Sequence, residues 1–250
     1  MQQTVIYSLL AVLLVSSISL VGIITIPIND KKIKDFLLYF ISFSVGALLG
    51  DVFIHLLPEV IEKHNGFPVQ VSFYILGSIV ATFLVEKLIH WKHHASNHKG
   101  HHHPPITAVT MFGDTAHNFI DGLALGASFL VSVPVGIATT VAIILHEIPQ
   151  EIGNYGVLLH GGYTKKRALY VNFLSALSAV AGTIIALVVG VQVTNAVVFL
   201  SAFAAGNFIY IAASDMIPEL HKEVSPTKSF WQLMTMILGI MVMYALVFLE

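Results

Sequence analysis

Eight apolar runs dominate this 250-residue chain, at approximately 4–26, 35–58, 69–90, 106–131, 135–160, 169–191, 194–217 and 230–249. A helix rises 1.5 Å per residue, so about 20 residues cross a hydrocarbon core, and each run is long enough. Their number and length exclude the buried helices of a soluble domain. Pro27 to Asp30, His64 to Pro68, Pro104-Pro105, Gly161-Gly162 and Ser225-Pro226 punctuate the runs as loops do. Composition agrees: the chain is 56% hydrophobic and 10% charged, against roughly 25% charged for an average soluble domain. The expectation is an all-α membrane protein, one eight-helix domain over 1–250, with no nucleic-acid partner. The first run has no basic residue before it and no small-residue cleavage site after it, which predicts a retained helix instead of a signal peptide. With no cysteine, disulfides and thiolate metal ligands are excluded.

Basic residues set the expected orientation. Eleven of the twelve Lys and Arg residues lie in or beside the first, third, fifth and seventh connections, and only Lys63 lies in the others. Cytoplasmic loops carry this excess. Those four connections are therefore expected in the cytoplasm and both termini outside, with the cytoplasmic membrane as the expected location. The chain also repeats itself: Gly46, His55, Pro58 and Glu59 of the second span match Gly206, Asp215, Pro218 and Glu219 of the seventh at one offset of 160 residues. These two spans run in opposite directions, so the match predicts spans 1–3 and 6–8 as inverted repeats around a central pair, spans 4 and 5.

That central pair carries side chains that lipid should exclude. An ionisable group at the centre of a spanning helix costs on the order of 2.5 to 3.5 kcal/mol on insertion scales, so such groups must face one another or water. Span 4 holds His117, Asn118 and Asp121; span 5 holds His146, Glu147, Gln150, Glu151 and Asn154. Positions i and i+4 share a helix face, which stacks His117 over Asp121 and His146 over Gln150. The loop from Val131 to Val135 is too short for anything but antiparallel neighbours, and both histidines fall at matching depth. Glu147, Glu151 and Asn154 form a second stripe, with Asn118 beside it. Imidazole and carboxylate without thiolate suit Zn(II), Fe(II), Mn(II) or Co(II), held moderately enough to be released. Pro149 lacks an amide hydrogen and should free the carbonyl of Leu145 near the ion. No Lys or Arg of either span offsets the carboxylates.

Asp51, His55 and Glu59 step along one face of the second span, and Asp215 and Glu219 along the seventh, marking a candidate path toward and away from the centre. The third connection, at about 91–105, carries His93, His94, His98, His101, His102 and His103, a composition that binds metal weakly.

These residues resemble the Zrt/Irt-like (ZIP) metal transporters, over essentially the whole chain. The resemblance rests on a His-rich loop after the third span, His-Asn-x-x-Asp-Gly in the fourth and His-Glu-x-Pro-x-Glu-x-Gly in the fifth, with Gly46 to Asp51 and His55 to Glu59 also similar. It is strongest to the branch whose fifth helix reads His-Glu-x-Pro-His-Glu-x-Gly-Asp. The resemblance implies transport of zinc, or of iron, manganese or cadmium, into the cytoplasm as substrate, with no catalytic cofactor. It implies a first metal site on His117, Asp121 and His146 and a second drawing on Asn118 and Glu147. Gln150 and Asn154 depart from that branch, which has His and Asp there, and an amide oxygen is a weaker ligand. A homodimer is compatible with this reading. Two other readings are an intramembrane zinc protease, since His146-Glu147 begins a His-Glu-x-x-His motif whose second His is here Gln150, and a metal sensor without transport.

Overall fold

The computed structural model describes residues 2–21, 30–63, 66, 68–97, 106–192 and 196–249. His98, His101, His102 and His103 lie outside them, as do the side chains of Glu59, His93 and His94. All regular structure among the described residues is helical: α1 Gln2–Ser17, α2 Asp30–Gly50, α3 Leu57–Lys63, α4 Val69–Asn97, α5 Ile106–Val131, α6 Val133–His160, α7 Lys165–Ala176, α8 Ser178–Gln192, α9 Ala196–Tyr210, α10 Ile217–Leu220 and α11 Pro226–Leu246. A 3₁₀ turn, Ile18–Val21, extends α1, and another, Val247–Leu249, extends α11.

Among the described residues, seven helical stretches are long and apolar enough to cross a membrane: Gln2–Val21, Leu38–Glu62, Val69–Leu88, Val133–Leu159, Lys165–Gly190, Ala196–Leu220 and Pro226–Leu246. The eighth expected span, α5, has 26 residues, but Asp114, His117, Asn118 and Asp121 interrupt its apolar sequence and it is not among the seven. Large apolar side chains cover the outer surface, among them Phe73, Leu76 and Phe83 on α4 and Trp231, Leu238 and Met241 on α11. This is the inverse of a water-soluble surface and suits a lipid surround.

Three boundaries differ from the sequence reading. The third helix continues to Asn97, so His93 and His94 fall on helix, not loop. The expected helix 169–191 is two, α7 and α8, broken at Leu177, where the chain tightens so that Val180 N bonds Leu177 O at 3.1 Å. The loop between the central helices shrinks to Ser132, whose extended backbone and Oγ, 3.3 Å from Val135 N, cap α6, with Pro134 in the first turn where no intrahelical donor is needed.

The central pair is the hub. α6 packs on α5, on α1 and on α2, while α5 also touches α7, α8 and α9; outside these, α11 packs on α2 and α4 on α9. Glycines set the closest crossings. A Cβ on Gly122 would lie 2.0 Å from Ala179 O, and one on Gly182 would lie 2.1 Å from Phe119 O, so α5 and α8 meet backbone to backbone. Gly46 and Gly239 do the same for α2 and α11. Phe208, Leu48, Leu125 and Ile143 fill the core between α2, α5, α6 and α9.

Two helices widen into π turns, Asp51–Leu56 after α2 and Ile211–Met216 after α9. Leu57 N bonds Val52 O and Ile217 N bonds Ala212 O, each a five-residue step, directly before Pro58 and Pro218. A proline ring clashes with the carbonyl four residues earlier, and widening the turn moves that carbonyl aside.

Candidate metal site

His117 and Asp121 stand one turn apart on α5; His146 and Glu147 are adjacent on α6. Antiparallel packing of the two helices brings the four side chains to one point, their ligand atoms all within 4.8 Å of one another. His146 Nε2 lies 2.9 Å from Asp121 Oδ2, 3.4 Å from His117 Nε2 and 3.6 Å from Glu147 Oε1; His117 Nε2 lies 3.5 Å from Asp121 Oδ2 and 3.4 Å from Glu147 Oε1. In a tetrahedral zinc site with bonds of about 2.0–2.1 Å, ligand atoms sit about 3.3–3.4 Å apart. The observed edges bracket that value.

The surroundings prepare the cluster for a cation. His146 Nδ1 faces the carbonyl of Ala142 at 3.1 Å, so its proton belongs there and the Nε2 lone pair points into the cluster. Its Nε2 faces Asp121 Oδ2 at 2.9 Å, within reach of a metal at the centre of the cluster. Asp121 Oδ1 and Glu147 Oε1 are buried with no hydrogen-bond partner among the described residues. Phe208 packs against the His146 ring, centroids 5.9 Å apart, and fixes its plane. His146, Asp121 and Glu147 are about 1% exposed, and His117, at 15%, is the member nearest water.

The other expected residues divide. Glu147 joins His117, Asp121 and His146 instead of forming a separate pair with Asn118, whose amide donates to Asp114 O at 3.1 Å. Gln150 Nε2 points to Asp114 Oδ1 at 3.3 Å, and Asn154 Nδ2 to the same oxygen at 2.6 Å. Glu151 is buried beside Asn172 of α7. Asp215 and Glu219 line a cavity of about 200 Å³ together with His146, Pro149 and Gln150. Asp51 and His55 do not line it: Thr139 Oγ1 donates to Asp51 Oδ2 at 3.0 Å, and His55 Nε2 donates to Met243 O at 2.9 Å. The carbonyl of Leu145, expected to be free beside the ion, is held by Ser44 Oγ at 2.6 Å, so α2 supplies the donor that Pro149 lacks.

Asp114 is the residue the sequence reading passed over. It sits one turn before His117 and Asn118 in an apolar helix with no Lys or Arg, the same signal that singles out Asp121. Asn172, on α7 and fully buried, also reaches the central pair through Glu151 O at 3.5 Å.

A sequence profile described as ZIP Zinc transporter matches residues 2–109 and 93–247. The chain belongs to the ZIP zinc transporter family. Among its relatives, zinc transporter SLC39A7 of Mus musculus is 29% identical over 335 residues, covering 98% of this chain and 70% of that protein. Zinc transporter ZIP13 of Pongo abelii is 32% identical over 81% of this chain and 64% of its own. Zinc transporter ZIP4 of Homo sapiens is 30% identical over 88% of this chain and 44% of its own. This ZIP chain is therefore a membrane protein and a metal-ion transporter, not an enzyme. Its cluster of two imidazoles and two carboxylates is of the donor type that such a substrate needs.

Proposed function

We propose that this protein carries divalent transition-metal ions, zinc first among them and iron, manganese or cadmium as alternatives, into the cytoplasm through a site near the bilayer midplane formed by His117, Asp121, His146 and Glu147. The observation that carries the reading is the convergence of the four ligand atoms within 4.8 Å of one another, with five of their six separations between 2.9 and 3.6 Å. A set of two nitrogens and two oxygens binds zinc without the hold of thiolates, so the ion can leave. The relatives named as zinc transporters favour zinc as the substrate.

The exit lies along the cavity from His146 past Gln150 to Asp215 and Glu219. Glu219 pairs with Lys222 of the basic seventh connection, which the charge asymmetry assigns to the cytoplasm. Asp51, His55 and Glu59 belong to the opposite approach. In this proposal all eight helical stretches span the membrane as one domain, both termini face outward, and the His-rich segment at about 91–105 meets released ion. Inverted repetition is supported by the two π turns, which fall 160 residues apart like the sequence matches. Partner exchange supports it too: α2 packs on α11, and α9 on α4.

The test is uptake of zinc, iron, manganese and cadmium by purified protein in proteoliposomes. His117→Ala and Asp121→Ala should insert normally and abolish uptake. Wild-type flux in either variant contradicts the site, and binding without flux in the parent protein would make it a sensor.

A further inference from the structure

α4 carries polar side chains that belong neither to the metal cluster nor to the wall of the cavity below it. It exposes Phe73, Leu76, Phe83 and Leu84, yet Ser78, Thr82 and Glu86 recur every four residues along one of its faces. All three meet α9. Ser78 Oγ donates to Phe203 O at 2.6 Å, Thr82 Oγ1 donates to Asn207 Oδ1 at 3.1 Å, and the Tyr210 hydroxyl donates to Glu86 Oε2. Beside these rungs the two backbones nearly touch, since a Cβ on Gly206 would lie 2.4 Å from Ile75 O.

Packing accounts for the first two rungs, where a hydroxyl meets a backbone carbonyl and a side-chain amide. The third places a carboxyl group inside the apolar stretch Val69–Leu88, where an acidic side chain is costly, although a neutral side chain can also accept from a phenol. What the acidic residue adds is strength, because a hydrogen bond to a carboxylate is roughly twice as strong as one between neutral groups.

That rung falls where a firm hold matters. Tyr210 is buried, ends α9 and leads into the π turn Ile211–Met216. Ser214 of this turn is a second hydrogen-bond partner of the phenol, and the charge of Asp215 bears on it. Ile211, Asp215 and Met216 line the cavity below His146. A π turn holds one residue more than an α turn, so its side chains take directions that the flanking α-helix alone does not set. We propose that Glu86 and Tyr210 are positioning residues for ion release: the phenol, gripped by α4, holds the π turn so that Asp215 faces the cavity. This role rests on the reading of that cavity as the exit. Neither residue touches the ion; α4 acts as a strut behind the carboxylate that does.

The test starts from full-length Asp215→Cys protein in detergent, a chain with no other cysteine, and measures its rate of reaction with a water-soluble maleimide. Adding Tyr210→Phe or Glu86→Ala should turn position 215 from the cavity and slow labelling about tenfold, whereas Glu86→Gln, which still accepts from the phenol, should stay within about threefold of the starting protein. Unfolding would speed labelling, so slowing separates positioning from damage, and if one variant elutes as aggregate the other decides. In proteoliposomes, with Asp215 intact, Tyr210→Phe and Glu86→Ala should lower the maximal rate of zinc uptake about tenfold while the dissociation constant for zinc is unchanged. The proposal is overturned if the folded variants label as fast as the starting protein, or if maximal uptake stays at the parent level or falls only together with zinc affinity. A parent protein that takes up no zinc would refute the exit reading, and the labelling rates would still decide whether Glu86 and Tyr210 set the direction of Asp215.

Discussion

His146 does two jobs with one ring. Its Nδ1 lies 3.1 Å from the carbonyl of Ala142 while Nε2 faces His117, Asp121 and Glu147, so helix backbone orients the ring with Nε2 toward the cluster. Losing a residue that merely supports a ligand costs about 10–100-fold in metal affinity, and losing a ligand should cost at least that much. His146→Ala should therefore weaken zinc binding by about 100-fold or more in isothermal titration, and an unchanged constant would remove it from the site. Ser44 makes a separate prediction: Ser44→Ala leaves Leu145 O without its side-chain donor, at a cost of about 1–3 kcal/mol. A lowered unfolding midpoint in detergent, with zinc affinity retained, checks it. His117 and Asp121 were legible in the sequence because i, i+4 spacing survives any packing of two helices, and His146 because the short loop between α5 and α6 sets it at the depth of His117. The sequence could not show that Gln150 and Asn154 turn to Asp114, since both amides sit on the same α6 face as the ligands and only the facing helix decides their partner.

At the scale of elements, the glycines separate packing from propensity. Gly122 faces Ala179 O with no room for a Cβ, whereas Gly153 on α6 has nothing within 4 Å of that position. Gly122→Leu should force α5 and α8 apart, lowering the unfolding midpoint and abolishing uptake, because overpacking of a tight contact costs about 1–3 kcal/mol or more. Gly153→Ala should be neutral or stabilising by up to about 1 kcal/mol, as alanine favours helix. If both variants behave alike in a thermal scan, the close approach of α5 and α8 is wrong. Helix existence was plain from apolar run length, but the break at Leu177 had no Gly or Pro to announce it. Pro58 and Pro218 were visible, yet the widened turn directly before each was not.

The whole molecule is organised around two central helices whose polar faces meet, with the apolar helices α4 and α11 outermost. Alternate connections carry the basic residues, and the cavity beneath His146 opens among residues leading to one of them. The absence of cysteine makes orientation directly measurable. Lys165→Cys should react with a membrane-impermeant maleimide from the cytoplasmic side only, and Glu62→Cys from the outside only; labelling of both from one side would overturn the proposed topology.

Coordination of the transported ion decides the central claim. X-ray absorption on zinc-bound full-length protein, with the six histidines of 91–105 changed to serine, should show a four-coordinate shell at about 2.0–2.1 Å with scattering from two imidazoles and no sulfur. An oxygen-only six-coordinate shell, or imidazole scattering that persists after His117→Ala and His146→Ala, would contradict it.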